Sequence, residues 1–397
     1  MDPDKATREC PCITYFDTES KEIRREYYFS PIPNDFHEHV GVSCYDAIKH
    51  IEFCIQRKLK NLELRPNCIS CDQNELTECI ASWRRSGGEN LSIHCPDIKY
   101  NNGDISSTNF DFYINLANSL KANRFTQHVP IVSVNTVKSG NGVLEYICDY
   151  LAEKFNCVDH EIVIGIENMH MTEKNRTDDS RRFGYLPEEC IEFMNALQER
   201  CKHKVGINFD IGHARNNMPY SQKYQISTWL SQIGKYAVGY HLHQVTLTNG
   251  KFSNHMPITD IYGKLISYAS FFKYWSLGKI NKAPIIFEMR PQGSYETTLK
   301  TFDEGKSNVF DIHTHTNYSF CGKDEPRVLI EKAIEQGISL LGISDHNYGI
   351  GNRKAEYLKN ILLLERNTNQ KKNSLWNWNR NDPTWIRSHN RPRDKGL

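Results

Sequence analysis

Apolar residues recur in two alternating patterns along most of this chain of 397 residues. Short apolar runs, as in strands buried on both faces, are separated by stretches in which apolar residues return every three or four positions, as on one face of a helix. The helical spacing is clearest at residues 47–55 and 144–155. The eight strand-like runs lie at residues 38–43, 60–64, 90–94, 124–132, 161–167, 204–210, 237–243 and 283–289. Eight βα units of this length predict an α/β protein whose parallel strands close into a (βα)8 TIM barrel.

The same pattern predicts how the chain is divided. Residues 1–36 are polar and rich in proline, which predicts an N-terminal extension, and the barrel occupies residues 37–305. A shorter, incomplete βα segment follows at residues 306–366. Residues 367–397 are rich in asparagine and show no apolar period, so this tail is predicted to be disordered.

Four successive strand-like runs of the barrel end in residues that bind metals. Glu167, Asp210 and Glu288 end three of the runs, and His241 and His243 end the fourth. The C-terminal ends of barrel strands share one mouth, so these side chains are expected to surround a divalent metal ion there. Carboxylate and imidazole ligands together suit Mn, Zn, Co or Mg. The two histidines share a strand face. We favour His243 as the ligand because it lies nearer the mouth, which leaves His241 to bind substrate.

Further histidines fall near the same predicted edge. His94 ends the third run, His128 lies in the fourth, and His255 follows the seventh. A single acid or histidine at a strand end is most often a helix cap or a satisfied core group. This many ligand-type residues at the catalytic edge of one barrel instead indicates a functional site, with room for more than one metal ion.

This series of ligands resembles that of the xylose-isomerase-like TIM barrels, the superfamily of sugar phosphate isomerases, epimerases and AP endonuclease 2 proteins such as endonuclease IV. The resemblance covers roughly residues 38–303 and is most specific in Phe-Asp-Ile-Gly-His-Ala and Ile-Glu-Asn-Met. Ketose 3-epimerases of the superfamily bind one divalent metal through the equivalents of Glu167, Asp210, His243 and Glu288. Their two glutamates also serve as the catalytic acid–base pair.

The resemblance also implies substrate contacts. The superfamily's glutamate six residues after the first ligand corresponds to Glu173, and its histidine three residues after the aspartate corresponds to His213. The epimerases' arginine six residues after the metal histidine is replaced by Asn249. The resemblance therefore implies a metal-dependent isomerase or epimerase that transfers a proton α to a carbonyl, with the substrate type left open.

Two alternatives stay open at this point. Endonuclease IV-like phosphoesterases bind three zinc ions, with further ligands resembling His94, His128, His213 and His255, although Ser253 replaces an expected aspartate. The second alternative is that the barrel is a metal-binding module without catalytic activity. Substituting Gln for both Glu167 and Glu288 would separate a module from an isomerase, because only the isomerase would lose a function.

The segment after the barrel carries a second set of candidate ligands. Asp-Ile-His-Thr-His at 311–315 and Ser-Asp-His at 344–346 resemble the first two motifs of the PHP (polymerase and histidinol phosphatase) domain, a metal-dependent phosphoesterase. The resemblance implies a second metal cluster formed by Asp311, His313, His315, Asp345 and His346. Only about two of the seven βα units of that fold fit here, so we expect an incomplete cluster and a truncated or frame-shifted chain.

Composition narrows the expected partners and location. Hydrophobic residues make up 39% and charged residues 24% of the chain, as in soluble globular proteins. Basic residues concentrate after Arg353, so the barrel is mildly acidic, which argues against nucleic acid and favours a small sugar substrate. No signal-like N-terminus and no membrane-length apolar run is evident, so a cytoplasmic protein is expected. A homo-oligomer is compatible with the sequence.

Overall fold

The computed structural model divides the chain into two compact units, one of Ile13–Phe302 and one of Met1–Cys12 with Asp303–Leu397. Each unit is described by itself below. The structure describes residues 12–17, 22–27, 30–66, 71–107, 109–171, 178–217, 219–248, 251–263, 265–290, 294–305, 309–335, 338–346, 350–360 and 374–377.

Eight parallel strands of the first unit close into a barrel in chain order. Each strand pairs with the strands before and after it, and the eighth pairs with the first. The strands are β1 Val40–Cys44, β2 Asn61–Leu64, β3 Asn90–His94, β4 Arg124–His128, β5 Val163–Glu167, β6 Lys204–Asp210, β7 Ala237–Leu242 and β8 Ile285–Phe287. The predicted (βα)8 TIM barrel is confirmed, and each predicted strand overlaps an observed one.

Helices connect the strands and bury one face against them. Both stretches of predicted helical spacing form helices, and the second buries Ile147, Leu151 and Phe155. The helices of this unit are α1 Ala47–Arg57, α2 Gln73–Arg85, α3 Phe110–Leu120, α4 Val134–Lys138, α5 Val143–Phe155, α6 Pro187–Gln198, α7 Ile211–Arg215, α8 Tyr220–Lys223, α9 Ile226–Ile233, α10 Ala269–Ser276 and α11 Ser294–Asp303. No helix among the described residues is long and apolar enough to cross a bilayer.

Two-stranded sheets supplement the barrel. Glu22–Tyr27 pairs with Cys12–Asp17 inside the predicted N-terminal extension. Tyr27 is buried and its N–H donates to the Ser270 hydroxyl of α10, so this part of the extension packs on the barrel helices. Two antiparallel hairpins, Ile98–Asn101 with Asp104–Ser107 and Gln244–Thr248 with Lys251–Met256, follow β3 and β7 at the barrel mouth.

The second unit contains an open parallel sheet. Its order is β9 Val309–Thr314, β10 Ile338–Ile343 and β11 Ser374–Asn377, with α12 Pro326–Glu335 between the first two strands. Tyr318, Ile330, Leu341 and Tyr357 contribute to its small core. The predicted short βα segment after the barrel is therefore confirmed. β11 lies within residues 367–397, the tail for which disorder is predicted.

Candidate metal centre

Nine side chains at the barrel mouth form three ligand groups that share members. In each group, one nitrogen or oxygen atom per residue lies within 4.8 Å of the corresponding atoms of the others. The first group is His94, His128 and Glu167; the second is Glu167, Asp210, His241 and Glu288; the third is Asp210, His213, His243 and His255. Glu167 thus joins the first group to the second, and Asp210 joins the second to the third.

Strand register places these residues at one level of the barrel. Glu167 at the end of β5 pairs with His128 at the end of β4, and Asp210 at the end of β6 pairs with His241 of β7. Residues paired in neighbouring parallel strands point to the same face. The chain then turns directly into α7, where the Asp210 carboxylate accepts a hydrogen bond from the His213 N–H at 2.6 Å.

The glycine in the Asp-Ile-Gly-His motif has a steric reason. A β-carbon on Gly212 would overlap the imidazole ring of His243. The first turn of α7 can therefore approach the histidine after β7 only because position 212 carries no side chain. This close approach brings Asp210, His213 and His243 into one group.

The structure places the two histidines at the end of β7 in different ligand groups. The second group contains His241, whose Nδ1 lies 3.0 Å from Glu288 Oε2 and 3.3 Å from Glu167 Oε2. His243 lies past the end of β7, with its Nε2 3.2 Å from Asp210 Oδ1, and belongs to the third group. The prediction took the residue nearer the mouth, whereas the register of β7 against β6 sets His241 level with the carboxylates. His241 is fully buried among them.

The third group contains the predicted ligands His243 and His255 together with His213, which had been given another role. His213 was expected to bind substrate, but its Nδ1 lies 3.2 Å from Glu167 Oε1 and 3.6 Å from Asp210 Oδ2. His255 Nε2 lies 3.3 Å from Glu288 Oε1, and its ring centroid is 4.4 Å from that of His243. Both histidines are buried. Glu173, the other predicted substrate contact, lies outside the described residues.

The electrostatic balance of the site depends on the histidines. Burial alone would raise the pKa of both Glu167 and Asp210. The neighbouring imidazoles instead lower the pKa of Glu167 well below its usual range and that of Asp210 to about 2. Burial likewise opposes the charge on His241, but Glu63 and Glu167 raise its pKa well above the usual range. The carboxylates therefore remain ionised, in the form that binds a cation.

Many polar atoms of the three groups lack a well-directed hydrogen bond although they are buried. Buried polar atoms are nearly always hydrogen-bonded, so a cluster of exceptions needs an explanation. The atoms without a hydrogen-bond partner among the described residues include His94 Nε2, both oxygens of Glu167, Asp210 Oδ2, His213 Nε2, His241 Nδ1, His243 Nε2 and Glu288 Oε2. Bound divalent cations would satisfy all of these atoms at once, and the donor set of imidazole and carboxylate suits such ions.

Two carboxylates that the sequence analysis did not identify orient ligand histidines. Glu63 of β2 is fully buried, and its Oε2 lies 3.2 Å from His241 Nε2. Asp97 Oδ1 lies 2.8 Å from His128 Nδ1. Such carboxylate–imidazole pairs direct the other ring nitrogen towards a metal. Glu63 could have been identified from the sequence, because it is the one acid inside the apolar run of β2. The sequence around Asp97 contains no comparable sign of a functional role.

Replacing Glu63 is expected to weaken one metal group selectively. The Glu63→Gln variant keeps the size of the side chain but removes the charge that holds His241, so affinity in the second group should fall roughly 10- to 100-fold. Competition with a chelating dye, followed by metal analysis, would measure this loss. An exposed matched control is Glu75→Gln in the first turn of α2, which should leave metal binding unchanged. Unchanged affinity in both variants would contradict the orienting role.

The second unit brings together only part of its predicted cluster. His315 and His346 form a candidate group with Cys321, which the sequence analysis did not identify. Asp345 is not in this group, because its carboxylate accepts hydrogen bonds from the Thr316 N–H at 2.7 Å and the Thr316 hydroxyl at 2.6 Å. It therefore holds the turn after β9. Asp311 and His313 belong to β9, but their side chains lie outside the description.

Comparison with known proteins agrees with this architecture. The family model of the xylose isomerase-like TIM barrel matches residues 89–305, and that of the PHP domain matches residues 311–364. No curated protein matches the chain.

Several solved structures are similar to this chain at low sequence identity. A putative xylose isomerase from Rhodospirillum rubrum is 11% identical with a TM-score of 0.50, covering 67% of this chain and 96% of its own. A D-tagatose 3-epimerase-like protein is 18% identical with a TM-score of 0.42, covering 67% and 97%. A xylose isomerase domain protein from Planctomyces limnophilus is 12% identical with a TM-score of 0.45, covering 69% and 97%. At 11% identity the likeness to the first of these structures concerns the fold alone. The chain belongs to the xylose isomerase-like TIM barrel family and carries a PHP domain fragment after the barrel.

Proposed function

We propose that the barrel is a multinuclear, divalent-metal-dependent phosphoesterase, the alternative that the sequence analysis ranked behind a sugar isomerase. The observation that supports this proposal best is the sharing of Glu167 and Asp210 among three adjacent ligand groups. A one-metal isomerase uses a single group and has no use for the first and third. Adjacent metal ions, when bound, would neutralise charge on phosphoester oxygens and activate water for attack on phosphorus.

The surroundings of Glu167 argue against its predicted role as a general base. Its Oε1 lies 3.5 Å from His128 Nε2 and 3.2 Å from His213 Nδ1. Its Oε2 lies 3.5 Å from His94 Nε2 and 3.3 Å from His241 Nδ1. A general base must reach the proton that it removes from the substrate. Both oxygens of this fully buried carboxylate instead face ligand histidines, an arrangement suited to bridging two cations.

The ligand that is missing at Ser253 has a substitute among the neighbouring histidines. Ser253 stands where that family has an aspartate, but His243 occupies the third group beside Asp210, His213 and His255. The third group therefore contains four ligand-type residues. The protein's own part in the reaction is to hold the cations at fixed positions, to orient histidines through Glu63 and Asp97, and to keep bulk water from the buried carboxylates.

A sugar isomerase or epimerase is the second candidate, and the second ligand group favours it. One metal ion would be held by this group alone, whose two glutamates are Glu167 at the end of β5 and Glu288 directly after β8. Proton transfer α to a carbonyl would then need only this group. The two candidates differ in the number of ions that they require and in their dependence on His94 and His128.

Hydrolysis and proton exchange, measured on the same metal-loaded preparation, separate the candidates. We expect zinc- or manganese-loaded protein to hydrolyse 4-nitrophenyl phosphate or bis(4-nitrophenyl) phosphate and to incorporate no solvent deuterium into a panel of ketoses. The His128→Ala variant should lose hydrolysis by on the order of 100-fold, because it removes a member of the first group. Deuterium exchange into a ketose that survives His128→Ala, with no phosphoester hydrolysis, would instead establish the isomerase.

A further inference from the structure

A cavity of about 180 Å³ lies in the barrel unit at the ends of strands β1 and β8. Tyr45, Lys49 and His50 line it on one side, and Arg290 and Tyr295 on the other. None of these residues belongs to a ligand group. The cavity is therefore not accounted for by metal binding.

The lining of the cavity suits an anion. Lys49 and Arg290 are exposed, and neither is paired with a carboxylate within 4.0 Å in the part of the chain that the structure describes. His50 Nδ1 accepts the Tyr45 N–H at 3.0 Å, so its Nε2 carries the proton in the neutral ring and is a donor. One acid, Asp46, also lines the cavity, but its carboxylate accepts from the Lys49 N–H at 3.2 Å as the cap of α1. The cations outnumber this acid.

Two arginines connect the surroundings of the cavity with the metal centre. Arg290 follows the ligand Glu288 by two residues, and its N–H donates to the carbonyl oxygen of the ligand His255 at 3.0 Å. Arg65 pairs with Glu288 and places its guanidinium 5.2 Å from the centre of the Tyr45 ring. These contacts place the cavity next to the residues of the ligand groups.

We infer that this cavity is a subsite for a second phosphate group of a small phosphorylated substrate of the sugar-phosphate type. The inference rests on the proposed phosphoesterase function, because the first phosphate must lie at the ligand groups. The volume is below that of a pocket for a drug-sized ligand and suits one phosphate with a few carbon atoms. A duplex nucleic acid would need a wider basic surface than two cations provide.

Calorimetric titration with non-hydrolysable probes tests the subsite directly. The zinc-loaded protein is titrated with alkane diphosphonates of increasing chain length and with methylphosphonate as the reference with a single anionic group. At least one diphosphonate should bind on the order of 100-fold more tightly than methylphosphonate, since its second group contacts two cations. The Lys49→Gln/Arg290→Gln double variant should lose this advantage while keeping its zinc content and its affinity for methylphosphonate.

A matched control is available on the same helix. Arg57→Gln removes an exposed cation at the opposite end of α1 and should retain the full diphosphonate advantage. If no diphosphonate binds more tightly than methylphosphonate, or if the advantage survives the double variant, the subsite is refuted. The probes contain no bond that a phosphoesterase cleaves, so this outcome is independent of the hydrolysis assay. A true subsite with no hydrolysis of any phosphoester would refute the proposed function alone.

Discussion

The Glu167→Gln variant is expected to lose metal from two ligand groups at once and, with it, the hydrolytic activity. Glu167 is a member of both the first and the second group, and its Oε2 lies between His94 of the first and His241 of the second. An amide cannot carry the negative charge that both cations require. The affinity of these two groups should fall by on the order of 100-fold or more, because even partners outside the ligand shell contribute this much. Metal analysis by mass spectrometry after gel filtration, together with initial rates, would measure both losses.

A control at the other end of the same strand makes the result specific. Glu161 is exposed just before β5, so Glu161→Gln should leave metal content and rate unchanged. Circular dichroism should show that both variants remain folded, since Gln has almost the same volume as Glu. A Glu167→Gln protein that keeps its full metal content would contradict the bridging role of this carboxylate.

Removing the metal is expected to lower the melting temperature substantially. Cations that bind only the folded state stabilise it by about 4 kcal/mol when they are present at a thousandfold excess over their dissociation constant. For a unit of this size that corresponds to on the order of 10 °C. Differential scanning calorimetry before and after treatment with a chelator, and again after zinc is restored, would measure the shift. Equal melting temperatures in all three states would show that the ligand groups hold no stabilising ion.

The stabilisation by metal should also grow as the pH rises. Although burial opposes it, Glu167 and Asp97 raise the pKa of His128 from an ordinary 6.5 to about 9. In the metal-free protein, this protonated histidine contributes stability that is fully present below pH 6.5 and is lost as the pH rises through about 9. Metal binding needs the neutral imidazole and strengthens over the same window. The difference in melting temperature between loaded and metal-free protein should therefore be smaller near pH 6.5 than near pH 9.

The fold and the carboxylates of the site could be predicted because they follow from local pattern. Apolar runs at regular intervals predict the barrel, and an acid at the end of a run predicts a side chain at its mouth. Glu167, Asp210 and Glu288 needed no further information. The strand boundaries were also close, as for β6, which was predicted and observed at 204–210.

The rest of the site depends on relations between distant strands. His241 and His243 have the same parity, and only the register of Asp210 against His241 separates them. Asp97 acquires its role from a contact with His128, 31 residues later in the chain. A distant contact also changes the expected role of Asp345. Its motif predicts a metal ligand, but its carboxylate accepts two hydrogen bonds from Thr316.

The number of ligand groups occupied by metal distinguishes the proposed function from its rival. The sequence predicts one metal ion among four residues, with the additional histidines leaving room for more than one ion. The structure groups those histidines around the same two carboxylates, Glu167 and Asp210. A cytoplasmic location, the oligomeric state and the segment boundaries remain predictions.

Anomalous diffraction at the zinc absorption edge, from crystals of the zinc-loaded protein, tests the central claim most directly. We expect a separate anomalous peak in each of the three barrel groups, with Glu167 between the first and second peaks and Asp210 between the second and third. A single peak in the second group, with no metal at His94, His128, His213 and His255, would contradict the proposed function and support an isomerase with one metal ion.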